Sequence, residues 1–498
     1  MSVTQFIKVD SHDNVAIALF DLEKGSVLTV NGTSVILEED IPAKHKFSLE
    51  NISAGNPVIK YGYPIGKASL DIIPGKWIHS HNLSTGLAGT LEYSYNPRQS
   101  PPKIPSGLFD TFMGYLRPNQ DVGVRNEIWI IPTVACSNAT AISLAQKANE
   151  SLSHLCDGVC ALPHSAGCSQ LGDDLITSQR ILAGITLHPN AGGVLLLSLG
   201  CENNHLSEFL PYLGDYDKKR IRTLVMQDEG DEYAKGLEIL AEIAQEISRD
   251  QRQPIPASKL RLGFKCGGSD AFSGITANPL CGRIADIVTS LGGIGILTEV
   301  PEMFGAEEIL MSRADVADTF KHIVGLINGF KQYFLDYDQP VSENPSPGNK
   351  KGGITTLEEK SLGCITKGGH ATVTATIDMG QRAVTPGLNL LNGPGNDNVS
   401  ITNLLSSGAQ IILFTTGSGN PLGTAAPTMK ISSNTSLASR KPSWIDFNAG
   451  RLLEGFGMDD LASELWGQVL DTASGKIKAK NEIGGQRDIM IFKNGVTL

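Results

Sequence analysis

The stretch Val194-Leu-Leu-Leu-Ser-Leu-Gly-Cys-Glu202 decides the fold. Residues 194–199 are apolar apart from one serine, too short a run to span a bilayer, and a glycine ends it. Such a run is typical of a strand buried on both faces of a parallel sheet. Similar runs occur at residues 127–131, 159–162, 260–264, 294–297, 371–377 and 411–414, with helical stretches such as 139–149 and 235–247 between them. The alternation predicts α/β domains with mostly parallel sheets.

The 498 residues are enough for about three domains. Short alternating runs at 16–20, 27–30 and 35–37 predict a small β-rich domain over residues 1–95. Residues 96–118 contain five prolines among largely polar residues and predict an extended linker. A polar segment at 249–258 divides the remainder, so we expect α/β domains at 119–250 and 251–498.

Charge and composition narrow the class of function. The net charge of −11, without a dense Lys/Arg block, argues against nucleic acid and acidic membranes as partners. Residues 1–10 show no basic segment followed by an apolar one, so no signal peptide is predicted. The eight dispersed cysteines favour reduced thiols in the cytoplasm. We expect a cytoplasmic protein with a small-molecule partner, and the sequence leaves a homo-oligomer open.

Cysteines follow four of the predicted strands, namely Cys136, Cys168, Cys201 and Cys266. His164, Glu202 and Asp270 lie in the same turns. Because ligands bind beyond the carboxyl ends of parallel strands, the four thiols could meet in one cleft and ligate iron or zinc. The alternative is that each cysteine is a small, inert residue packed into a glycine turn.

Histidines in the N-terminal region form a second group of candidates. His79-Ser-His-Asn82 places two imidazoles two positions apart, where both can bind one metal ion or a substrate carboxylate. His45 next to Lys46 supplies a base beside a cation. Solvent-exposed turns explain both patterns equally well.

Two glycine-rich segments in the C-terminal region are further candidates. Residues 344–353 pack proline and glycine around polar side chains, which predicts either a rigid loop that binds carboxylate or hydroxyl groups or a plain connector. Residues 415–423 have the spacing GxGxxxG rather than GxGxxG, so they are only weakly similar to a dinucleotide loop.

A series of ordered motifs resembles the altronate and galactarate dehydratase family. The motifs run the length of the chain: His12-Asp-Asn-Val-Ala16, Pro42-Ala-Lys-His-Lys46, Ile59-Lys-Tyr-Gly62, His79-Ser-His-Asn82, Gly123-Val-Arg-Asn126, Gly167-Cys-Ser-Gln170, Leu199-Gly-Cys-Glu-Asn203, Cys266-Gly-Gly-Ser-Asp270, Ser273-Gly-Ile-Thr-Ala-Asn-Pro279, Glu299-Val-Pro-Glu302 and Trp444-Ile-Asp-Phe-Asn-Ala-Gly450. The resemblance implies a small antifreeze-like (SAF) β-rich domain followed by two dehydratase domains, and dependence on a divalent metal, Fe²⁺ or Mn²⁺. The histidine pair resembles the altronate branch, and Lys44 stands where the family usually has glycine.

The activity implied by the resemblance is removal of water from an aldonate, here D-altronate to 2-dehydro-3-deoxy-D-gluconate, with galactarate or a related sugar acid as the alternative substrate. A nicotinamide-dependent sugar-acid dehydrogenase and a carbohydrate-binding protein without turnover are alternatives of a different class. A dehydratase needs a base beside the carboxylate and electrostatic stabilisation of the enediolate.

We therefore assign roles to the candidate residues as hypotheses. The base is His45 or His164, with Lys46 beside His45. The metal ligands are His79, His81, Cys201 and Glu202, and the rival is an iron site of Cys136, Cys168 and Cys266, with an iron–sulfur cluster less favoured. The substrate is bound by Lys60, Arg125, Asn126, Ser269, Asp270 and Asn349.

Overall fold

The computed structural model describes residues 4–30, 32–98, 101–102 and 104–498. The N-terminal domain is built from short strands: β1 (Phe6–Ile7), β2 (Val15–Ala18), β3 (Val27–Val30), β4 (Thr33–Ile36), β5 (Lys46–Ser48), β6 (Pro57–Lys60), β7 (Tyr63–Ala68), β8 (Trp77–Ile78) and β9 (Leu83–Ser84). They pair antiparallel in the orders β1-β2-β5-β8, β3-β4 and β6-β7-β9. The predicted β-rich first domain is confirmed.

The second region carries strands β10 (Thr111–Leu116), β11 (Val122–Gly123), β12 (Glu127–Pro132), β13 (Val159–Ala161), β14 (Ala191–Ser198), β15 (Ile221–Val225) and β16 (Gln253–Pro256), and helices α1 (Asn138–Leu152), α2 (Gly172–Thr186), α3 (Leu206–Phe209) and α4 (Glu232–Ile247). A parallel sheet has the order β13-β12-β14-β15. Strand β14 begins before the predicted run, at a glycine pair where a Cβ on Gly193 would meet Ile243 of α4 at 2.1 Å. Glycine here permits close packing of helix on sheet.

The predicted linker is only partly extended chain. Residues 99, 100 and 103 lie outside the described residues, and the end of the segment forms β10. This strand pairs antiparallel with β11 and β16, which satisfies its backbone groups. Strand β16 falls within residues 249–258, so this small antiparallel sheet joins the second and third regions.

The third region carries strands β17 (Arg261–Cys266), β18 (Ile294–Leu297), β19 (Val373–Ile377), β20 (Gly387–Leu391), β21 (Ile411–Thr416), β22 (Thr428–Ser432) and β23 (Phe447–Asn448), and helices α5 (Ala277–Ser290), α6 (Glu307–Met311), α7 (Ala317–Asp336), α8 (Pro347–Lys351), α9 (Leu357–Cys364), α10 (Asp397–Ser406), α11 (Thr435–Arg440), α12 (Met458–Ala473) and α13 (Lys480–Gly484). Its parallel sheet has the order β19-β20-β18-β17-β21-β22-β23. The chain leaves β17 toward β18 and later returns to β21 on the other side. The strand order therefore reverses at β17, where ligand crevices form in such sheets.

The first domain packs onto the third. One apolar core contains Val58 and Ile65 from the first domain together with Phe304 and Leu357 from the third. Burial of this shared surface fixes strand β7 of the first domain against α9. Among the described residues, none of the helices combines the length and apolar character that crossing a bilayer requires.

Candidate active site

A cleft of about 570 Å³ opens beyond the carboxyl ends of β17, β18 and β20. Its walls include Cys266, Ser269, Glu302, Asn344, Asn349, Lys360 and Asp397. A second cleft, of about 420 Å³, is lined by Arg117, His188 and Arg220. The first cleft lies at the β17 switch point and contains Cys266 and Glu302 of a group that could hold a metal ion, so it is the better candidate for chemistry.

Two thiols and a carboxylate converge at the floor of the first cleft, where Cys266 and Glu302 line the cleft and Cys364 lies directly behind them. Cys266 Sγ lies 3.4 Å from Cys364 Sγ, and Glu302 Oε2 lies 3.2 and 3.1 Å from the two sulfurs. Cys266 ends β17, Glu302 follows β18, and Cys364 ends α9. Within the described part of the chain, this is the group whose donor atoms fit around one metal ion. Thiolates with a carboxylate suit Fe²⁺ by their donor chemistry.

Three buried lysines surround this group, namely Lys265, Lys360 and Lys367. Lys360 Nζ lies 2.8 Å from Glu302, and Lys367 Nζ lies 3.0 Å from Glu299. Lys265 pairs with Glu299 and, at 2.8 Å, with Asp397. Burial by itself would raise the pKa of Glu302, but the three ammonium charges hold that pKa below its usual range. Burial also disfavours the charged lysines, but the carboxylates outweigh it and raise the pKa of Lys265 and of Lys360. These lysines are therefore cations suited to an anionic ligand rather than bases.

The first domain places two lysines against the other face of α9. Lys46 Nζ and Lys60 Nζ each lie 2.8 Å from the Glu359 carboxylate, and all three side chains are 1% exposed. Burial and the neighbouring Lys60 charge lower the pKa of Lys46 to about 8. Burial opposes the charge on Lys60 too, but Glu359 outweighs it and raises the Lys60 pKa. Lys46, Lys60 and Glu359 together form the joint between the first domain and α9. Glu359 and Lys360 are adjacent in α9, so this helix connects the joint to the cleft.

The predicted imidazoles lie beside this joint. His45 Nδ1 accepts from Trp77 Nε1 at 3.1 Å, and His45 Nε2 lies 3.3 Å from the Lys351 carbonyl oxygen. Both ring nitrogens of His45 are thus occupied, and burial lowers its pKa. His79 stacks on Trp77 and bonds Thr355 Oγ1 through Nδ1 at 2.9 Å. Burial and the Lys46 charge lower the pKa of His79 to about 4.

The structure does not bring the first predicted metal set together. His79 lies against the third domain and His81 is exposed beside Trp77, whereas Cys201 is exposed at the edge of the second domain. The Glu202 carboxylate accepts from Thr133 Oγ1, Ser198 Oγ and the amides of residues 199 and 200. These donors fill its acceptor positions, so Glu202 braces a turn instead of ligating a metal.

The rival iron set and one of the two predicted bases are also separated from the cleft. Cys136 and Cys168 are exposed in the second domain, whereas Cys266 is buried in the third. His164 Nε2 lies 2.7 Å from the Pro132 carbonyl oxygen, and its Nδ1 accepts from the Ala166 amide at 3.1 Å. With both nitrogens bound to backbone, His164 has no free position to take a substrate proton.

Two predicted substrate ligands are structural instead. Arg125 binds Glu482 through two nitrogens, at 2.6 and 2.9 Å, and joins the second region to the third. Asn126 accepts from Arg117 at 2.7 Å and donates to the Ile247 carbonyl at 3.0 Å. The sequence showed a cation and an amide beside a strand, but these partners come from distant parts of the chain.

The other predicted substrate ligands lie in or near the cleft. Ser269 and Asn349 line it, and Ser269 Oγ is buried without a hydrogen bond to any described residue. Asn349 Nδ2 donates to the Ser269 carbonyl at 2.8 Å. Asp270 lies behind them and pairs with Lys44 Nζ at 2.9 Å. Lys44 adopts φ 76, a left-handed conformation that favours the glycine expected there.

Sequence reasoning missed most of the ionisable residues in and around the cleft, namely Lys265, Glu299, Glu302, Glu359, Lys360, Cys364, Lys367 and Asp397. Glu299 and Glu302 directly follow the predicted strand at 294–297, so the strand-end argument applied there would have found them. Helix α9 offered no such signal. Its Glu-Glu-Lys run has the composition of an exposed helix, yet every residue of it is buried.

Three models of one family match successive parts of the chain. The altronate/galactarate dehydratase SAF domain matches residues 4–86, the D-galactarate dehydratase/altronate hydrolase second domain matches 114–248, and the D-galactarate/altronate dehydratase C-terminal domain matches 257–497. Together they span nearly the whole chain in the order of the three structural regions.

Curated relatives agree with these models over full length. The chain is 48% identical to an altronate dehydratase of Bacillus subtilis (strain 168) over 496 residues, which cover 99% of each chain. It is 46% identical to an altronate dehydratase of Escherichia coli (strain K12), over 99% of this chain and 100% of that one. A galactarate dehydratase (L-threo-forming) of Escherichia coli (strain K12) is 33% identical over 96% and 95% of the two chains. The chain belongs to the altronate/galactarate dehydratase family.

Proposed function

We propose that this chain is an altronate dehydratase, a hydro-lyase that converts D-altronate to 2-dehydro-3-deoxy-D-gluconate and water. The observation that carries the proposal is the buried Cys266–Glu302–Cys364 group, set among three lysines in a cleft of a chain of this family. The 46–48% identity to altronate dehydratases, against 33% to the galactarate enzyme, favours altronate as substrate.

The same group is the proposed metal site. Cys266, Glu302 and Cys364 would hold one divalent ion, Fe²⁺ or Mn²⁺, which when bound supplies Lewis-acid polarisation of the substrate carboxylate and the adjacent hydroxyl. The hydrogen bond with Cys266, in which the protonated Cys364 thiol donates, and burial raise the pKa of Cys364, so metal uptake displaces a proton from this thiol.

The chain's own cations bind and orient the substrate. Lys360 lines the cleft as an ammonium group and attracts the aldonate carboxylate, and Lys265 adds positive charge behind Asp397 of the cleft wall. Ser269 Oγ, buried without a partner among the described residues, is placed to bond a substrate hydroxyl. The fixed ammonium charges also stabilise the enediolate that forms when the C2 proton leaves.

Lys46 is the proposed base. Its pKa of about 8 is the nearest to neutrality among the lysines of the cleft and joint whose shifts are resolved, and a base works best near the operating pH. A small space of about 10 Å³, lined by Lys60, Glu359 and Lys360, lies between the Lys46–Glu359 pair and the cleft. The ammonium of Lys60 and the carboxylate of Glu359 keep the pKa of Lys46 in this range.

Product analysis tests the function directly. The purified chain is incubated anaerobically with Fe²⁺ or Mn²⁺ and with altronate, galactarate and related acids, and 2-keto-3-deoxy acids are assayed. We expect turnover of altronate above the others. Turnover of galactarate alone would overturn the altronate assignment. Reduction of a nicotinamide cofactor would identify a dehydrogenase, and binding without product would identify a binding protein.

A further inference from the structure

Three exposed thiols follow three adjacent strands of the four-stranded parallel sheet. Cys136 follows β12, Cys168 follows β13 and Cys201 follows β14, and β12 lies between the other two strands. None of the three lines the cleft described above. The carboxyl edge of this sheet thus presents three soft metal ligands to solvent, at a place that the proposed dehydration does not use.

Hydrogen bonds join the three turns that carry these cysteines. The Ala135 amide donates to the Ala166 carbonyl at 3.0 Å, next to Cys136 and Cys168. The Asn204 amide donates to the Gly167 carbonyl at 3.0 Å, and the Ser169 amide donates to Asn203 Oδ1 at 2.7 Å. The three turns that carry the cysteines are therefore joined to one another by hydrogen bonds.

The packing of these turns leaves no room for side chains between them. A Cβ on Gly167 would meet the Thr133 carbonyl oxygen at 2.1 Å, so the second turn lies directly on the first. The Glu202 carboxylate bonds Thr133 Oγ1 as well as the amides beside Cys201. Glu202 therefore ties the turn of Cys201 to the turn of Cys136.

Two polar atoms beside the thiols have no partner in the described part of the chain. Ser137 Oγ, adjacent to Cys136, and Asn204 Oδ1, in the turn of Cys201, are both buried and form no hydrogen bond there. Both residues are 0% exposed. Buried polar groups are ordinarily hydrogen-bonded, so these two atoms remain available to a group bound at this edge.

We propose that Cys136, Cys168 and Cys201 hold an iron–sulfur cluster of the four-iron type. The three sulfurs do not lie within 4.8 Å of one another as the donors of the Cys266 group do, so a single ion is not preformed here. Neighbouring strands lie about 4.8 Å apart, so thiols on the turns that follow three of them are spread over a width comparable to that of a cubic cluster. Three thiolates for four irons leave one iron without a cysteine ligand from this edge.

Anaerobic reconstitution with ferric iron, a thiol reductant and sulfide, which supplies the mixed ferric and ferrous irons of the cluster, tests the proposal by analysis rather than by turnover. We expect about five irons per chain in the wild type, about four in the cluster and one in the Cys266–Glu302–Cys364 group, together with about four acid-labile sulfides, a broad visible absorbance and a paramagnetic signal on reduction. Cys136→Ser, Cys168→Ser and Cys201→Ser should each lose most of the labile sulfide. Cys156→Ser, a part-buried cysteine of the same domain, and Cys364→Ser, in the cleft, should retain it.

Labile sulfide that is absent from the wild type, or unchanged in all three variants, would overturn the proposal. Binding of zinc or iron without sulfide would assign the edge to a single ion instead. The three cysteines are exposed, so their serine variants should fold, and unchanged melting temperatures verify this. The result is independent of altronate turnover and separates this proposal from the proposed function.

Discussion

The chain contains two parallel sheets whose carboxyl edges carry similar residues in opposite surroundings. At the edge of the seven-stranded sheet, Cys266 is buried with Cys364 among carboxylates and lysines. At the edge of the four-stranded sheet, Cys136, Cys168 and Cys201 are exposed. The first domain packs only the former edge into a shared core with α9. A strand end thus supplies the chemical groups, and the covering domain decides their dielectric surroundings and charge state.

The largest effect on activity is expected at the carboxyl edge of the seven-stranded sheet. Glu302→Gln removes the carboxylate between the two thiols and should lower altronate turnover about 1000-fold or more, since metal-based charge stabilisation is worth several kcal/mol. Metal content and kcat measure the loss together. Cys281→Ala is the control, because Cys281 is buried in the same domain outside the group. Equal metal content in Glu302→Gln and wild type would contradict the assignment.

The next largest effect is expected at the joint between the first domain and α9, where a substitution should lower the stability of the protein. Glu359→Gln leaves the buried ammonium groups of Lys46 and Lys60 without their shared carboxylate and should cost about 3–5 kcal/mol of stability. Urea unfolding measures the change. The matched control is Glu358→Gln, whose carboxylate accepts from Thr85 and Gly86 and should cost about 1 kcal/mol. Similar losses for both variants would show that the ion pairs are not what holds the joint.

Replacing Lys46, the proposed base, tests whether this one side chain accepts the substrate proton. Lys46→Arg keeps the positive charge but cannot deprotonate, so kcat should fall about 100-fold while the protein stays folded. In the wild type, kcat should increase with pH along a titration curve whose midpoint is about 8. This pH dependence should be absent from Lys46→Arg. Lys60→Arg should cost less, because Lys60 stays protonated. A wild-type pH dependence that persists in Lys46→Arg would exclude Lys46 as the base.

Burial of His79 between the first and third domains should also make the free energy of unfolding depend on pH. The His79 pKa is lowered to about 4, so between this value and its unfolded value of 6.5 the unfolded chain binds more protons than the folded one. Stability should therefore rise with pH through this window and be lost as pH falls. Unfolding of wild type and His79→Asn at several pH values measures this, and the variant should show a shallower slope. Identical slopes would mean that His79 is not desolvated in solution.

The smallest expected effect concerns the turn that precedes His45. Lys44 has φ 76 and pairs with the buried Asp270, so its side chain and its backbone conformation act in opposite directions. Lys44→Gly and Lys44→Ala both lose the ion pair, but glycine relieves the left-handed backbone. Lys44→Gly should therefore be more stable than Lys44→Ala by about 1 kcal/mol, measured by thermal unfolding. Equal stability would indicate that this turn rearranges in the variants.

Much of the architecture could be predicted because strands buried on both faces carry continuous apolar runs. Strands β3 and β18 coincide with the predicted residues, and α1 and α4 extend the predicted helices. The thiol of Cys266 was found by the same argument. Glu202 and Arg125 were assigned chemical roles for their residue type alone, and their hydrogen bonds within the fold show them to be braces.

The sequence by itself determined the layered α/β architecture, the β-rich first domain and the family, because local periodicity and ordered motifs are properties of the chain. Only the tertiary structure decided which thiols are buried, that Glu302 joins Cys266 and Cys364, and that Glu359 faces two lysines of another domain. Residues separated by about 300 positions meet there, and no local pattern encodes such a contact. The charge and pKa of each group follow from that burial.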